Sequence, residues 1–340
     1  MKASDIKVGV IGYGGAFNMG RAHLSGMKDA GMTPAAACDM DAARLEVAKK
    51  EFPGINTFTS VADMLKSSDL DLVTIITPHN THAKLAVQCL NAGKHVVCEK
   101  PLAITTAECD RMIAAAKKNK LMLSTYHNRH WDGCILQAVK MIKEKGVIGD
   151  VVRVECHMGA AGKPGDWWRS SKTISGGILY DWGVHLLEYM LQLVDGDITE
   201  VTGYAKTGFW ADQTAWKEDT NEDEAHLVVR FSTGVWSTLT MTQLDSNPKP
   251  GILEITGTAG SYVMDHGDYT LVQHKNGSVI TTRGRNTDGQ GQKFYGNIAD
   301  HLVKNEKLVI TAEWARRPIH ILDLACRSAK QGKALKAAYK

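Results

Sequence analysis

Asp181 and His185 stand four positions apart in SGGILYDWGVHLLEYML, residues 175–191, and almost everything around them is apolar. On a helix that spacing sets a carboxylate and an imidazole one above the other on a single face. An imidazole titrates near neutral pH, so His185 has the chemistry of a general base for a hydroxyl proton. Asp181 can stabilise the resulting imidazolium or bind a neighbouring hydroxyl. Ile178, Leu179, Trp182, Leu186, Tyr189, Met190 and Leu193 recur at helical spacing as a broad apolar face, which leaves Asp181, His185, Glu188 and Gln192 as one narrow polar stripe. Taken alone, such a stripe reads as a solvated surface. Gly176 and Gly177 shift the reading toward a cleft, because they permit close approach of backbone to a ligand or tight entry into the helix.

Two further clusters carry chemistry. In KHVVCEKP, Lys100 lies between Glu99 and Pro101 just after a short apolar run. An ammonium at such a strand end can stabilise negative charge that develops on an oxygen as hydride leaves; the bland alternative is a surface lysine in a turn. In GYGGAFNMG, residues 12–20, Gly12, Gly14 and Gly20 are placed to cradle a pyrophosphate against a helix N-terminus. This loop has five residues between its second and third glycines, where the usual GxGxxG fingerprint has about two. Asp39, nineteen residues after Gly20, supports the reading, since a carboxylate there can accept bonds from the adenine-ribose hydroxyls. Asp39 would repel a 2′-phosphate, so NAD is expected rather than NADP. The alternative is an ordinary glycine turn, with Asp39 capping the next helix.

The elements needed to position these groups are present in order. KVGVIG, TPAAACD ending at Asp39, LDLVTIIT ending at Thr77, KHVVCEKP and LMLSTYH read as strands, and helical stretches such as RAHLSGMKDAG, DAARLEVAKKEF and THAKLAVQCLNAG separate them. Strand–helix alternation predicts an α/β, doubly wound parallel sheet with the ligand beyond the carboxyl ends of the strands.

ITPHNTHAKLAVQCLNAGKHVVCEKP and SGGILYDWGVH, with the N-terminal glycines and the GRAH that follows them, resemble signatures of the glucose-fructose oxidoreductase and inositol dehydrogenase (Gfo/Idh/MocA) family. The resemblance covers essentially the whole chain. It implies an NAD-binding Rossmann domain over residues 1–124, and a C-terminal α/β domain over 125–340 built on a large open, predominantly antiparallel sheet. It also implies a C-terminal helix at about 311–332 that returns to the first domain, and a homodimer or homotetramer. By the same resemblance Lys100, Asp181 and His185 form the catalytic set. Tyr13, Thr77, Pro78, His79, Asn80, His82 and Glu99 join Gly12, Gly14, Gly20, Asp39 and Lys100 around the cofactor. His79 stands where relatives often have asparagine, and His82 reads equally well as a structural histidine. Asn128, Arg129 and Trp131 of YHNRHWD, and Trp168 and Arg169 of KPGDWWR, are weaker candidates for substrate contact. Paired tryptophans at 167 and 168 suit the faces of sugars, and suit a core equally well.

Composition limits the other classes. Forty basic and 37 acidic residues are interspersed, giving a net charge of +3 and no basic face for nucleic acid. The longest apolar runs are too short to span a bilayer, and the N-terminus has no signal-peptide pattern. Seven scattered cysteines without a CxxC pair read as reduced thiols in the cytoplasm, with no metal site. The expected activity is NAD-dependent oxidation of a hydroxyl on a sugar, sugar derivative or cyclitol. Two alternatives are a glycosidase that oxidises its sugar transiently, with Tyr126, His127 or Tyr180 as the extra base, and a non-catalytic NAD-binding sensor.

Overall fold

The computed structural model describes residues 2–15, 17–67 and 69–337. These fall into two compact units, residues 1–128 with 292–316 and residues 129–291 with 317–340.

The first unit is built on six parallel strands. They are β1 (Lys7–Ile11), β2 (Thr33–Cys38), β3 (Asn56–Phe58), β4 (Leu72–Ile75), β5 (His95–Cys98) and β6 (Leu123–Thr125), in the order β3-β2-β1-β4-β5-β6. The order reverses between β1 and β4, where Ile11 lies opposite Ile75. Every residue of β4, and all of β1 after Lys7, is buried, as expected of parallel strands covered on both faces. Helices α1 (Met19–Asp29), α2 (Ala42–Glu51), α3 (Val61–Ser67), α4 (His82–Asn91) and α5 (Thr106–Asn119) connect them. The helix starts differ in kind. Thr105 and Glu108 close a reciprocal capping box at α5, and Asp41 caps α2 through the Ala43 amide. Asn18, at the head of α1, is in the left-handed region and makes no side-chain cap.

The second unit opens with α6 (Gly133–Val139) and holds a nine-stranded sheet. Strand β7 (Val151–Gly159) is followed by α7 (Lys172–Ser175) and α8 (Gly183–Leu193). Then come β8 (Ile198–Lys206), β9 (Glu224–Phe231), β10 (Trp236–Thr242), β11 (Leu253–Gly257), β12 (Gly260–Met264), β13 (Asp268–Lys275) and β14 (Ser278–Arg285). After helices α9 (Lys293–Lys304) and α10 (Ala312–Gln331), the two-residue β15 (Leu335–Lys336) closes the edge. The order is β14-β13-β12-β11-β7-β10-β9-β8-β15, antiparallel throughout except for β7 beside β10. Alternate residues, among them Val154, Cys156, Leu227, Val229, Leu239 and Ile255, face a buried layer. Helix α8 lies in that layer across β7 and β10, and Gly183 lets it approach so closely that a Cβ there would sit 3.0 Å from Leu239.

This division differs from a single cut after residue 124. Helix α9 belongs with the parallel sheet, and so does the first turn of α10, held by Arg316 on Asp110 at 2.5 Å and Glu313 on Lys117 at 2.9 Å. From Arg317 onward α10 counts with the second unit, where the Ser328 hydroxyl accepts the Gly203 amide of β8 at 2.9 Å. The start of the C-terminal helix thus counts with the Rossmann sheet.

Candidate active site

At the switch point between β1 and β4, Gly12 takes φ +96°, and a Cβ on it would lie 2.8 Å from the Ile76 carbonyl. Only glycine lets the two strand ends come this close. The Tyr13 amide donates to Asp39 Oδ2 at 2.6 Å and the Tyr13 phenol to Glu51 at 2.5 Å, while the ring fills the space that a side chain on Gly20 would take. Tyr13 therefore anchors the loop, and its side chain is committed to protein partners. Beside Gly14 there is open space, and the place of a side chain on Gly15 is taken by the Arg44 guanidinium. Ala16, in the middle of the extended loop, lies outside the described residues. Asp39 does not cap α2. It accepts the Tyr13 and Asp41 amides, so it sets the loop geometry while keeping lone pairs for a ligand. The glycine cradle, the uncapped start of α1 and an acceptor after β2 together fit a dinucleotide.

Beyond β4, the Thr77 hydroxyl lies 2.6 Å from that of Thr81, which donates to the Pro78 carbonyl at 2.7 Å. His79 is buried and Asn80 exposed. The His82 ring is wholly buried, with Nδ1 2.8 Å from the Pro101 carbonyl and Nε2 2.8 Å from the Thr77 carbonyl. Burial outweighs both carbonyls and lowers its pKa from the usual 6.5. His82 thus sits between the ends of β4 and β5 inside the protein, where the neutral ring donates to one of the two carbonyls. Lys100 is half-buried at the end of β5, its amide donating to the Glu99 carboxylate at 2.8 Å. Glu99 in turn meets His23 of α1 at 3.0 Å.

In the second unit, the polar stripe of the sequence resolves into two structures. Gly176 and Gly177 both have positive φ, +94° and +121°, and Glu222 captures the Ile178 amide at 3.0 Å, so the chain turns here before it coils. The helix expected to begin near Ser175 therefore begins at Gly183, and Asp181 stands in the turn before it. His185, in the first turn of α8, is 4% exposed, with its ring 5.5 Å from Trp182. The Arg169 guanidinium donates to Asp181 at 2.5 Å and lies 5.1 and 4.9 Å from the Trp167 and Trp168 ring centres. The paired tryptophans thus hold an arginine, which holds the candidate carboxylate. Lower on α8, Glu188 is 1% exposed and pairs with His130 at 2.5 Å, while Gln192 donates to it. Within α8, His185 and Glu188 are buried, so the middle of the stripe is not a solvated face, while Asp181 and Gln192 at its ends are half-buried.

Trp131 is 7% exposed, its ring centre 4.8 Å from that of His130. Asn128 opens the same 3-10 turn, half-buried. Arg129 lies over Trp182 at 4.5 Å and pairs with Asp132, which also accepts the Tyr189 hydroxyl at 2.6 Å. These groups open onto a concavity of about 640 Å³ lined also by His266, Asn286 and Asp288. His266 and Asn286 were not visible in the sequence, since both sit in short turns at the edge of β13 and β14 with no motif around them. Chemically, each unit holds a part suited to hydride transfer: a charged lysine turn at a strand end, and an imidazole one turn beyond a fixed carboxylate.

Comparison with known proteins bears on these arrangements. Residues 6–127 match the model of an oxidoreductase family with an NAD-binding Rossmann fold, and residues 136–263 match the Gfo/Idh/MocA C-terminal domain. An uncharacterized oxidoreductase, YdgJ, of Escherichia coli is 33% identical over 192 residues, 56% of this chain and 54% of its own length. A myo-inositol 2-dehydrogenase of Thermotoga maritima is 28% identical over 78% of this chain and 77% of its own. Several relatives are matched over only about half of their length, as is the scyllo-inositol 2-dehydrogenase (NADP(+)) IolW of Bacillus subtilis, 30% identical over 52% of that protein. Among solved structures, an NAD-binding protein from Listeria innocua superposes with TM-score 0.82 at 25% identity, over 98% of this chain and 97% of that one. Levoglucosan dehydrogenase in complex with NADH shares the fold, with TM-score 0.82 at 20% identity over 98% and 99% of the two chains. With the family's two domain models matched over residues 6–127 and 136–263, the chain belongs to the Gfo/Idh/MocA family of oxidoreductases.

Proposed function

We propose that this protein is an NAD-dependent dehydrogenase that moves hydride between nicotinamide and a secondary hydroxyl or ketone of a sugar, sugar derivative or cyclitol. The observation that carries the reading is Asp181, fixed by Arg169, one turn from buried His185. A base is served by an enclosed ring and a nearby group that holds charge: His185 is 4% exposed, and Asp181, 34% exposed at its side chain, is held by Arg169. His185 takes the hydroxyl proton as the C–H bond breaks, Asp181 stabilises the imidazolium or binds the adjacent hydroxyl, and Lys100 stabilises the oxygen while its charge grows. Bound NAD supplies the hydride acceptor. Gly12, Gly14, Gly20 and the head of α1 would hold its pyrophosphate, and Asp39 its adenine ribose. Several relatives carry the name inositol 2-dehydrogenase, which supports a cyclic polyol as substrate.

The glycosidase reading needs a further accessible base. Tyr126, His127 and Tyr180 are the candidates, and burial pushes the Tyr126 phenol up to about 12, away from the neutral range that suits a base. We infer also a homodimer or homotetramer in the cytoplasm. The supports are the outer sheet face, where Trp236 and Tyr204 are exposed, and seven free thiols.

The test is to mix the protein with excess NAD and a panel of free sugars, inositols and nitrophenyl glycosides, recording NADH and nitrophenolate together. NADH accumulating with a free sugar or inositol is the expected result. Nitrophenolate released without net NADH would overturn the reading in favour of a glycosidase.

A further inference from the structure

Behind the Lys100 turn runs a chain of buried polar groups that the proposed reaction does not use. Glu99, whose side chain is 13% exposed, directs one carboxylate oxygen to the Lys100 amide at 2.8 Å and the other to His23 Nε2 at 3.0 Å. His23 is wholly buried, and its Nδ1 lies 2.6 Å from the Tyr295 hydroxyl, which is itself 3.4 Å from the Thr74 hydroxyl. Three stretches distant in sequence, α1, the end of β5 and α9, therefore meet in one hydrogen-bonded line within the first unit.

The packing shows how the line is built. His23 and Gly26 are three apart, on one face of α1. A Cβ on Gly26 would come within 3.0 Å of the Tyr295 ring, so this glycine lets α9 lie against α1 with the phenol at the imidazole. The Tyr126 ring closes the other side, 4.3 Å from His23 between centres and 5.7 Å from Tyr295. An apolar filling would serve a core as well as this chain does, and a buried ion pair is poor evidence for added stability. What the chain does deliver is a fixed carboxylate at the Lys100 backbone.

We propose that His23 and Tyr295 are positioning residues for Lys100, acting through Glu99 to hold the lysine turn in the geometry that hydride transfer requires; the catalytic half of this rests on the dehydrogenase reading. An ionised Glu99 accepts only, so the proton between it and His23 sits on Nε2. Tyr295 then either donates to Nδ1 or, when the ring is charged, accepts from it and donates to Thr74. In both states the hydroxyl fixes the ring, and the ring fixes the carboxylate. Burial pushes the Glu99 carboxyl up, and the His23 hydrogen bond and charge with the nearby Lys100 more than offset this, leaving it below its ordinary value. The titratable groups around Glu99 are His23 from α1, Tyr295 from α9, Tyr126 after β6, His82 from α4, and its neighbours Cys98 and Lys100. Of these, His23 and Lys100 bring the favourable charge, and loss of His23 leaves the burial effect opposed by Lys100 alone.

The test uses Tyr295→Phe, which keeps the ring packing, and His23→Gln, which keeps a polar side chain without the charge. In protein labelled with 15N-lysine, the Lys100 amide is assigned by its loss in Lys100→Arg and followed between about pH 5 and 9, the window in which an uncompensated buried carboxyl titrates. A flat wild-type resonance and a titrating one in His23→Gln are expected. With the substrate that the wild type oxidises, kcat should fall about tenfold or more in His23→Gln and less in Tyr295→Phe, with KM for NAD unchanged within about twofold. An amide that stays flat in His23→Gln, or one that titrates without any fall in kcat, overturns the proposal. A wild type that oxidises nothing in the panel would sink the dehydrogenase reading instead, and the amide titration would still decide whether His23 fixes Glu99 at Lys100.

Discussion

Arg169→Gln separates a fixed Asp181 from a merely nearby one. In the protein Arg169 donates to Asp181 at 2.5 Å, with the guanidinium held near two tryptophan faces, and the Asp181 side chain is 34% exposed. A hydrogen bond between charged groups contributes about 1.5–3 kcal/mol, and the access of water to Asp181 places this one at the low end, about 1.5 kcal/mol. If that free energy serves to hold Asp181 for the transition state, its loss appears as about a tenfold fall in kcat/KM. Arg169→Lys keeps the charge but neither the planar fork nor the stack, and should fall between the wild type and glutamine. Initial rates of NADH formation with the sugar or cyclitol that the wild type oxidises give the numbers. The reasoning fails if Arg169→Gln stays within about twofold of wild type while Asp181→Asn is crippled, because Asp181 would then be placed by another group.

Lys100→Ala and His185→Ala should keep the fold, checked by circular dichroism, and lose most turnover, about a hundredfold or more each; near-normal rates in either would remove that residue from the reaction. Asp39→Ala should weaken NAD binding and shift selectivity toward NADP by about tenfold, read as the ratio of kcat/KM values, because it removes both a loop tie and the charge that repels a 2′-phosphate. An unchanged ratio would put the ribose contact elsewhere. His82 is held neutral by burial, its folded pKa below the usual 6.5, so the unfolded chain binds the extra proton first. Its contribution to stability is complete above about pH 6.5 and declines as pH falls below that value toward the folded one. Denaturant midpoints should therefore drop less on acidification in His82→Gln than in the wild type, and equal pH dependence would contradict the assignment.

Much of the first unit was legible because parallel strands buried on both faces read as continuous apolar runs, as in VGVI and LVTI, and because Gly12, Asp39 and the EKP turn sit at strand ends. Strand β3 escaped notice: Asn56–Phe58 is three residues long and none is fully buried, so it has no periodic signal. The exposed pattern of β14 hid that strand in the same way. Helix α8 was recognisable as a helix, but its polar stripe was ambiguous. Whether Glu188 meets water or His130 depends on a partner fifty-eight residues away, which periodicity cannot supply. Asp181 shows the limit most clearly. Its spacing from His185 marked it for chemistry, yet the turn that carries it follows from two glycines with positive φ and a long-range carboxylate, Glu222. The same is true of Tyr295, whose meeting with His23 needs Gly26 on a helix more than 250 residues earlier.

Hydride transfer itself is the central claim, and isotope transfer tests it most directly. The protein would be incubated with NAD and with sugars and inositols deuterated at their carbinol carbons, and the NADH formed would be analysed by mass spectrometry. The account predicts that NADH accumulates carrying a single deuterium taken from the substrate. NADH without deuterium, or consumption of a deuterated nitrophenyl glycoside with no net NADH, would contradict it.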